Sequence, residues 1–156
     1  MKIKNPGQYT VHDDYNVVQV VGTGKGVIIT MTGGEVWTCG KSAPVITMTG
    51  GTVRTFGSSA PVFLQSRGYV STLYSSAPII NMTGGYVWTF GSSAPVINQS
   101  GGEVWTFDSS APVIHQSGGY VSTWGSSSPF INMTGGYVWT LESSAPVIHQ
   151  SGGEVI

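Results

Sequence analysis

Charged residues are scarce in this chain of 156 residues. Six Lys and Arg residues and seven Asp and Glu residues make up 8% of the sequence, and the formal net charge is -1. Ordinary globular domains carry roughly 25% charged residues. The lack of a basic surface excludes nucleic acid as a partner, because phosphate recognition needs clustered Lys and Arg. With so little charge repulsion between copies, we expect the protein to assemble or to present an ordered surface.

Cysteine and long apolar runs are also nearly absent. Cys39 is the only cysteine, so no internal disulfide is possible. It stands at a position that later carries Phe, Leu or Trp, which favours a small buried hydrophobic residue over a reactive thiol. No segment approaches the roughly 20 apolar residues of a membrane span, and no apolar run follows the N-terminal lysines. We therefore expect neither a membrane span nor a signal peptide.

Motifs for catalysis, phosphate binding and metal binding are missing. The segment GTGKG at 22–26 lacks the spacing of a P-loop, and no Ser-His-Asp grouping is present. His115 and His149 occupy one repeat position two repeats apart, roughly 9.6 Å by stacking arithmetic, which is too far for one metal within a chain. Metal binding by histidine would require a trimer that places three copies of one histidine on its axis.

Three carboxylates share another repeat position, but the nearest two lie three repeats apart. They are Glu35, Glu103 and Glu154. A glycosidase needs its two carboxyl groups roughly 5 to 10 Å apart, so hydrolysis would require Asp108 or Glu142 to approach from a corner or from another chain. We predict a protein that is not an enzyme and that uses no cofactor and no metal.

A seventeen-residue repeat runs from about Ile28 to the last residue. The repeat in its general form reads APVI, two or three polar residues, Gly-Gly, a stretch such as YVWTF and a Gly-Ser-Ser corner. Apolar residues alternate in both stretches, which predicts two strands per repeat and no helix. A fixed period of this size is typical of repeat architectures. The second glycine of each pair is the turn glycine: Gly34, Gly51, Gly68, Gly85, Gly102, Gly119, Gly136 and Gly153.

Two all-β folds fit this pattern. One is a β-solenoid of about 7–8 coils with like residues stacked about 4.8 Å apart, either as a single coil or intertwined as a trimer. The other is an antiparallel β meander in which each Gly-Gly closes a hairpin. Arg67 replaces the first glycine of one pair while Gly68 keeps the second. A type I′ hairpin needs positive φ at both positions and a type II corner only at the second, which favours the solenoid.

The chain divides into residues 1–26, which stand outside the repeat, and a repeat domain at 27–156. The first segment has a short β-like run, an acidic turn at Asp13 and Asp14, and an apolar strand that begins at Asn16. We expect it to cap the first open rung, to attach the protein to a partner, or both. The repeat stops midway at Ile156, so we expect either further protein or stacking of this end on a partner.

Repeat positions that never change indicate the interior. Val and Thr after the turn glycines, such as Val87 and Thr89, are uniform and share one face of their strand, and we place them inside with the Ile of APVI. The alternate positions mix Glu, Tyr, Trp, Arg and Ser, which indicates an outer face. The aromatic residues that we expect there are Tyr86, Trp88, Trp105, Tyr120, Tyr137 and Trp139.

An outer aromatic stripe of this length exceeds the few hundred Å² that a soluble monomer usually exposes. We therefore expect it to be an interface with further copies of the chain, and a three-fold bundle around the long axis is the simplest arrangement.

Short β repeats, a Gly or Pro corner and low charge over residues 28–156 resemble the repetitive β fibres and spikes of viruses, especially those of phages. The resemblance implies a trimeric rod, part of a virion or an extracellular surface assembly, attached to other virion proteins through residues 1–26. Two alternatives stay open. The Val-x-Thr columns and the TxT triplets at 30–32 and 47–49 are similar to antifreeze β-solenoids, which suggests an ice- or carbohydrate-binding module. The third possibility is a subunit of a filament stacked end to end.

Overall fold

The structure is a computed structural model that describes residues 1–12 and 17–156. The predicted acidic turn at Asp13 and Asp14, and the start of the apolar strand at Asn16, lie outside the described residues. Within the described part of the chain, no helix is long and apolar enough to cross a membrane.

All regular structure in the described residues is β-strand, and each coil contributes one strand to each of two sheets. In chain order the strands are β1 (Lys2–Ile3), β2 (Gly7–Val11), β3 (Val17–Val20), β4 (Val27–Met31), β5 (Glu35–Thr38), β6 (Val45–Met48), β7 (Thr52–Thr55), β8 (Val62–Gln65), β9 (Tyr69–Thr72), β10 (Ile79–Met82), β11 (Tyr86–Thr89), β12 (Val96–Gln99), β13 (Glu103–Thr106), β14 (Val113–Gln116), β15 (Tyr120–Thr123), β16 (Phe130–Met133), β17 (Tyr137–Thr140), β18 (Val147–Gln150) and β19 (Glu154–Val155).

The odd-numbered strands form a ten-stranded sheet and the even-numbered strands a nine-stranded sheet. Every strand pairs in parallel with the equivalent strand of the next coil, so that Val87 aligns with Val70 on one side and Val104 on the other. The prediction of a β-solenoid is therefore confirmed, with about nine turns, and the antiparallel meander is wrong. A hairpin would have required antiparallel neighbours.

Residues 1–26 extend both sheets. Strand β1 pairs with β3, and β2 pairs with β4. Gly7 aligns with Val27 and Val17 with Glu35, offsets of 20 and 18 residues, whereas Val87 and Val104 differ by 17. The first coils are thus longer than the repeat, and hydrogen bonds cross residue 26 without interruption. Whether this segment caps the rod or attaches it to a partner stays a prediction.

The interior consists of stacked columns, as the repeat pattern predicts. The Val and Ile columns are buried, with Val87 and Ile97 both fully inaccessible. Thr89 is equally buried, and its Oγ1 donates to Ser110 Oγ of the following coil at 3.0 Å. The hydroxyls thus bond along the solenoid axis, as expected, but threonine reaches the serine of the next corner.

A fourth interior column is not predicted from the repeat pattern. It mixes Met and Gln, and its buried members are Met31, Met48, Gln65, Met82, Gln99, Gln116 and Met133. Gln99 Nε2 donates to the Gly102 carbonyl at 2.9 Å and to the Tyr120 carbonyl at 3.0 Å. Each interior glutamine therefore ties its own corner to the strand of the next coil.

The turn glycines all have positive φ, between 74° and 88°, and the first glycine of each pair does not. A Cβ on Gly102 would lie 2.5 Å from the Gly85 carbonyl oxygen and 2.8 Å from Met82 Cε. The conformation and the lack of room both require glycine there.

A second column of positive φ lies at the Gly-Ser-Ser corner, where Tyr74, Asp108 and Glu142 adopt φ of 56° to 59°. A Cβ on Gly57, in this column, would meet nothing closer than 3.6 Å. The column therefore tolerates side chains, which explains why its sequence varies.

Candidate binding faces

The ten-stranded sheet presents the outer columns that the sequence predicts to be aromatic. All six predicted residues lie on this outer face, and five of them are exposed, from Tyr86 at 37% to Tyr120 at 51%. Trp105 is half-buried. We call this surface the aromatic face. None of residues 1–12 and 17–156 covers it, and whether it is an interface stays a prediction.

Parallel pairing in register makes the aromatic side chains stack along the axis. Tyr69 stacks on Tyr86 with ring centroids 4.9 Å apart, and Tyr120 stacks on Tyr137 at 5.2 Å. The spacing is that of neighbouring strands, so parallel pairing holds each tyrosine pair in place, and Glu103 separates the two pairs along the column.

A second row of side chains, of Phe, Trp, Leu and Cys, lies at the corner after the odd-numbered strands. In this row Phe90 stacks on Phe107 at 4.9 Å, and Phe107 stacks on Trp124 at 6.5 Å. Cys39 belongs to this row and is half-buried, so the expectation of a buried position is wrong. Phe90, Phe107 and Trp124 in this row are half-buried as well.

The aromatic face also carries the one ion pair found among the described residues. Arg54 Nε lies 3.0 Å from Glu35 Oε1, and the Trp37 indole N–H donates to the same oxygen at 2.6 Å. Glu103 accepts a similar bond from the Trp105 indole at 3.3 Å. The three carboxylates of this column lie on separate coils. Neither Asp108 nor Glu142 forms a hydrogen bond with any of them, and the Asp108 carboxylate accepts from the Gly91 N–H instead.

The nine-stranded sheet has a different outer surface, a groove of about 640 Å³ that runs across several coils. Its walls carry one column of Thr, Leu, Asn and His and one column of Thr and Ser. The outward members are Thr47, Leu64, Asn81, Asn98, His115 and Asn132, then Thr49, Ser66, Thr83, Ser100, Ser117 and Thr134. We call this surface the polar groove.

Side chains in the polar groove bond to one another along the axis. Asn98 Nδ2 donates to Asn81 Oδ1 at 2.8 Å, and Asn132 Nδ2 lies 3.4 Å from His115 Nδ1. His149 packs edge-on against the Phe130 ring one coil away. Within residues 1–12 and 17–156, no three His, Cys, Asp or Glu side chains lie together where they could hold a metal ion.

The TxT triplets also belong to this sheet. Thr30 aligns with Thr47, and both point outward while Met31 and Met48 point inward. The threonine pattern is interrupted at Leu64, the next member of the column. The TxT triplets therefore form only a short outward patch, which reaches the polar groove at Thr47 and Thr49, and the long Val-x-Thr threonine column of the other sheet is buried.

Comparisons with protein-family models, with curated proteins and with solved structures found no match to this chain.

Proposed function

We propose that this protein is a non-enzymatic structural rod, a fibre or spike component of a virion or an extracellular surface assembly. In this proposal the aromatic face packs against further copies of the chain, and three rods form a bundle. Residues 1–26 attach the rod to neighbouring proteins of the assembly. The exposed Tyr and Trp side chains of the ten-stranded sheet, among which Tyr69–Tyr86 and Tyr120–Tyr137 stack in pairs, are the observation that supports the proposal.

The area of the aromatic face supports self-association. An aromatic side chain has about 200 Å² of surface, so six residues between 37% and 51% exposed leave roughly 500 Å². They are Tyr69, Tyr86, Trp88, Tyr120, Tyr137 and Trp139. A patch of this size is at the upper end for a monomer. With the flanking Ser and Glu positions it approaches the roughly 800 Å² per partner of a standard interface.

A charge placed in the middle of the aromatic face tests the proposal. In the variant Trp88→Arg, a coil on its own should fold, because the column already holds Arg54. A bundle should dissociate, because burying an unpaired guanidinium at an interface costs several kcal/mol. Asn98→Arg introduces the same charge on the exposed opposite sheet and is the matched control.

Light scattering at several protein concentrations gives the mass of each variant. We expect a trimer for the unchanged protein and for Asn98→Arg, and a monomer with an unaltered circular dichroism spectrum for Trp88→Arg. A concentration-independent monomer for the unchanged protein would refute the proposal. Mass that rises without limit would favour the end-to-end filament instead.

The polar groove favours a second candidate function, carbohydrate binding. Its Asn, His, Ser and Thr side chains offer repeated donors and acceptors over a length of several coils. A linear polysaccharide presents hydroxyl groups at similarly regular intervals. The groove supports a sugar better than ice, because Leu64 interrupts its threonine pattern.

Affinity electrophoresis in gels that contain a neutral polysaccharide tests this function. Binding should retard the protein, and Asn98→Ala should reduce the retardation because it removes a donor from the middle of the groove. Trp88→Arg is the control here. Equal retardation of all variants, or none, would exclude the groove as a sugar site.

A further inference from the structure

A cleft of about 210 Å³ opens in the aromatic face where a serine interrupts the tryptophan column. Ser122 aligns with Trp105 on one side and with Trp139 on the other, so the two indoles lie two strands apart with the serine between them. The cleft is lined by Glu103, Trp105, Tyr120, Val121, Ser122 and Trp139. Two indoles, a phenol and a carboxylate therefore converge on one small opening.

The Glu-Trp pair of this cleft occurs once more in the chain, at Glu35 and Trp37, where a cation lies beside it. We call that pair the first site and the cleft at Ser122 the second site. Glu35 and Trp37 stand on strand β5 as Glu103 and Trp105 stand on β13, and both indoles donate to their glutamate. Strand β7 then places Arg54 beside Trp37, and its guanidinium pairs with the carboxylate of Glu35 at 3.0 Å.

Strand β15 has Ser122 at the position equivalent to Arg54, aligned with Trp105. Among the described residues, Glu103 has no cationic partner. At the first site a guanidinium group fits beside a glutamate and an indole. At the second site the carboxylate of Glu103 is present, but no side chain supplies the cation among the described residues.

The second site is also the better cage for a cation. Where the first site has Thr52 and Ser71, the second has Tyr120 and Trp139, so the opening gains two aromatic side chains. Aromatic faces attract cations through the ring quadrupole, and tryptophan does so most strongly. The Trp105 N–H is already donated to Glu103 and holds the carboxylate at the cleft.

We propose that the cleft between Trp105 and Trp139 binds an organic cation, a guanidinium or alkylammonium group, with Glu103 as its counter-ion. The cation is either a free small molecule or the head group of an Arg or Lys side chain on a partner. The cleft lies within the aromatic face, so self-association through that face would compete with the cation, and the two proposals are tested separately.

Binding is tested by titrating the ¹⁵N-labelled protein with ethylguanidinium or tetramethylammonium chloride at constant ionic strength. The five tryptophans give five indole N–H signals, assigned by single Trp→Phe changes. We expect saturable shifts for Trp105 and Trp139 in the millimolar range, typical of an isolated cation–π site. N-ethylurea has the same shape without the charge and should cause no shift. An acetylated arginine amide, tested in parallel, distinguishes a side-chain head group from a free amine.

Two variants locate the site. Ser122→Arg should abolish binding, because it supplies an internal guanidinium as Arg54 does at the first site. Glu103→Gln should weaken binding about three- to fivefold while both indoles remain. Ser71→Arg is the matched control. The diagonal neighbour of Ser71 is Thr52, so the new guanidinium has no carboxylate to pair with there.

Three outcomes would overturn the proposal: equal shifts with N-ethylurea, unchanged binding in Ser122→Arg, or no saturation with any of the cations. The titration is run at protein concentrations below and above the onset of association measured by light scattering. A failure of cation binding by the dissociated protein is then distinct from a failure of self-association.

Discussion

The hydrogen bond between Thr89 and Ser110 allows a quantitative test of how the interior is held together. Both side chains are fully buried, and the bond of 3.0 Å is the only one that either hydroxyl makes among the described residues. In Ser110→Ala, Thr89 Oγ1 is left without a partner. A buried polar group that loses its partner costs about 1–3 kcal/mol, so the free energy of unfolding should fall by that amount.

Ser42 is the internal control. It occupies the same column as Ser110 and is equally buried, but its Oγ has no partner, because the residue that precedes Thr38 in the threonine column is Val20. Ser42→Ala removes a hydroxyl whose burial is not compensated. We expect the free energy of unfolding to stay the same or to rise by up to about 1 kcal/mol.

Guanidinium denaturation followed by circular dichroism measures both changes, with comparison restricted to variants of equal m-value. The double variant Thr89→Val with Ser110→Ala removes both partners and should recover most of the loss. If Ser42→Ala and Ser110→Ala destabilised the protein equally, the threonine-serine bonds would contribute nothing, and the reasoning would fail.

Two further substitutions test the interior and the turns. Val87→Asp places an unpaired carboxylate in the fully buried valine column and should unfold or dissociate the rod, as measured by circular dichroism and light scattering; a folded variant would reverse the assignment of inside and outside. Gly102→Ala should lower the denaturation midpoint much more than Gly57→Ala, because both residues have positive φ but only Gly102 lacks room for a Cβ; equal effects would show that φ alone matters.

The solenoid and its inner and outer faces could be predicted from the sequence. With a period of seventeen residues, the same type of residue recurs at each interior position in successive coils. The uniform Val and Thr columns marked the core without any structural information. The Met and Gln column was missed because its members differ in polarity, and only the bond from Gln99 to the Gly102 carbonyl explains how an amide fits there. The positive φ of Asp108 could not be predicted from the sequence, because several positions of this column are not glycine.

The cleft at Ser122 could not be predicted from the sequence for a related reason. Glu35 and Glu103 look alike locally, since each opens a Glu-Val-Trp triplet. What separates them is a residue nineteen positions further on, Arg54 in one case and Ser122 in the other, which becomes a neighbour only through parallel pairing in register. Because the interior columns hold the coil whatever the outer residues are, such outer positions are free to vary. A single substitution at such a position determines whether a carboxylate forms an ion pair within the chain, as Glu35 does, or is free to pair with a cation from another molecule, as we propose for Glu103.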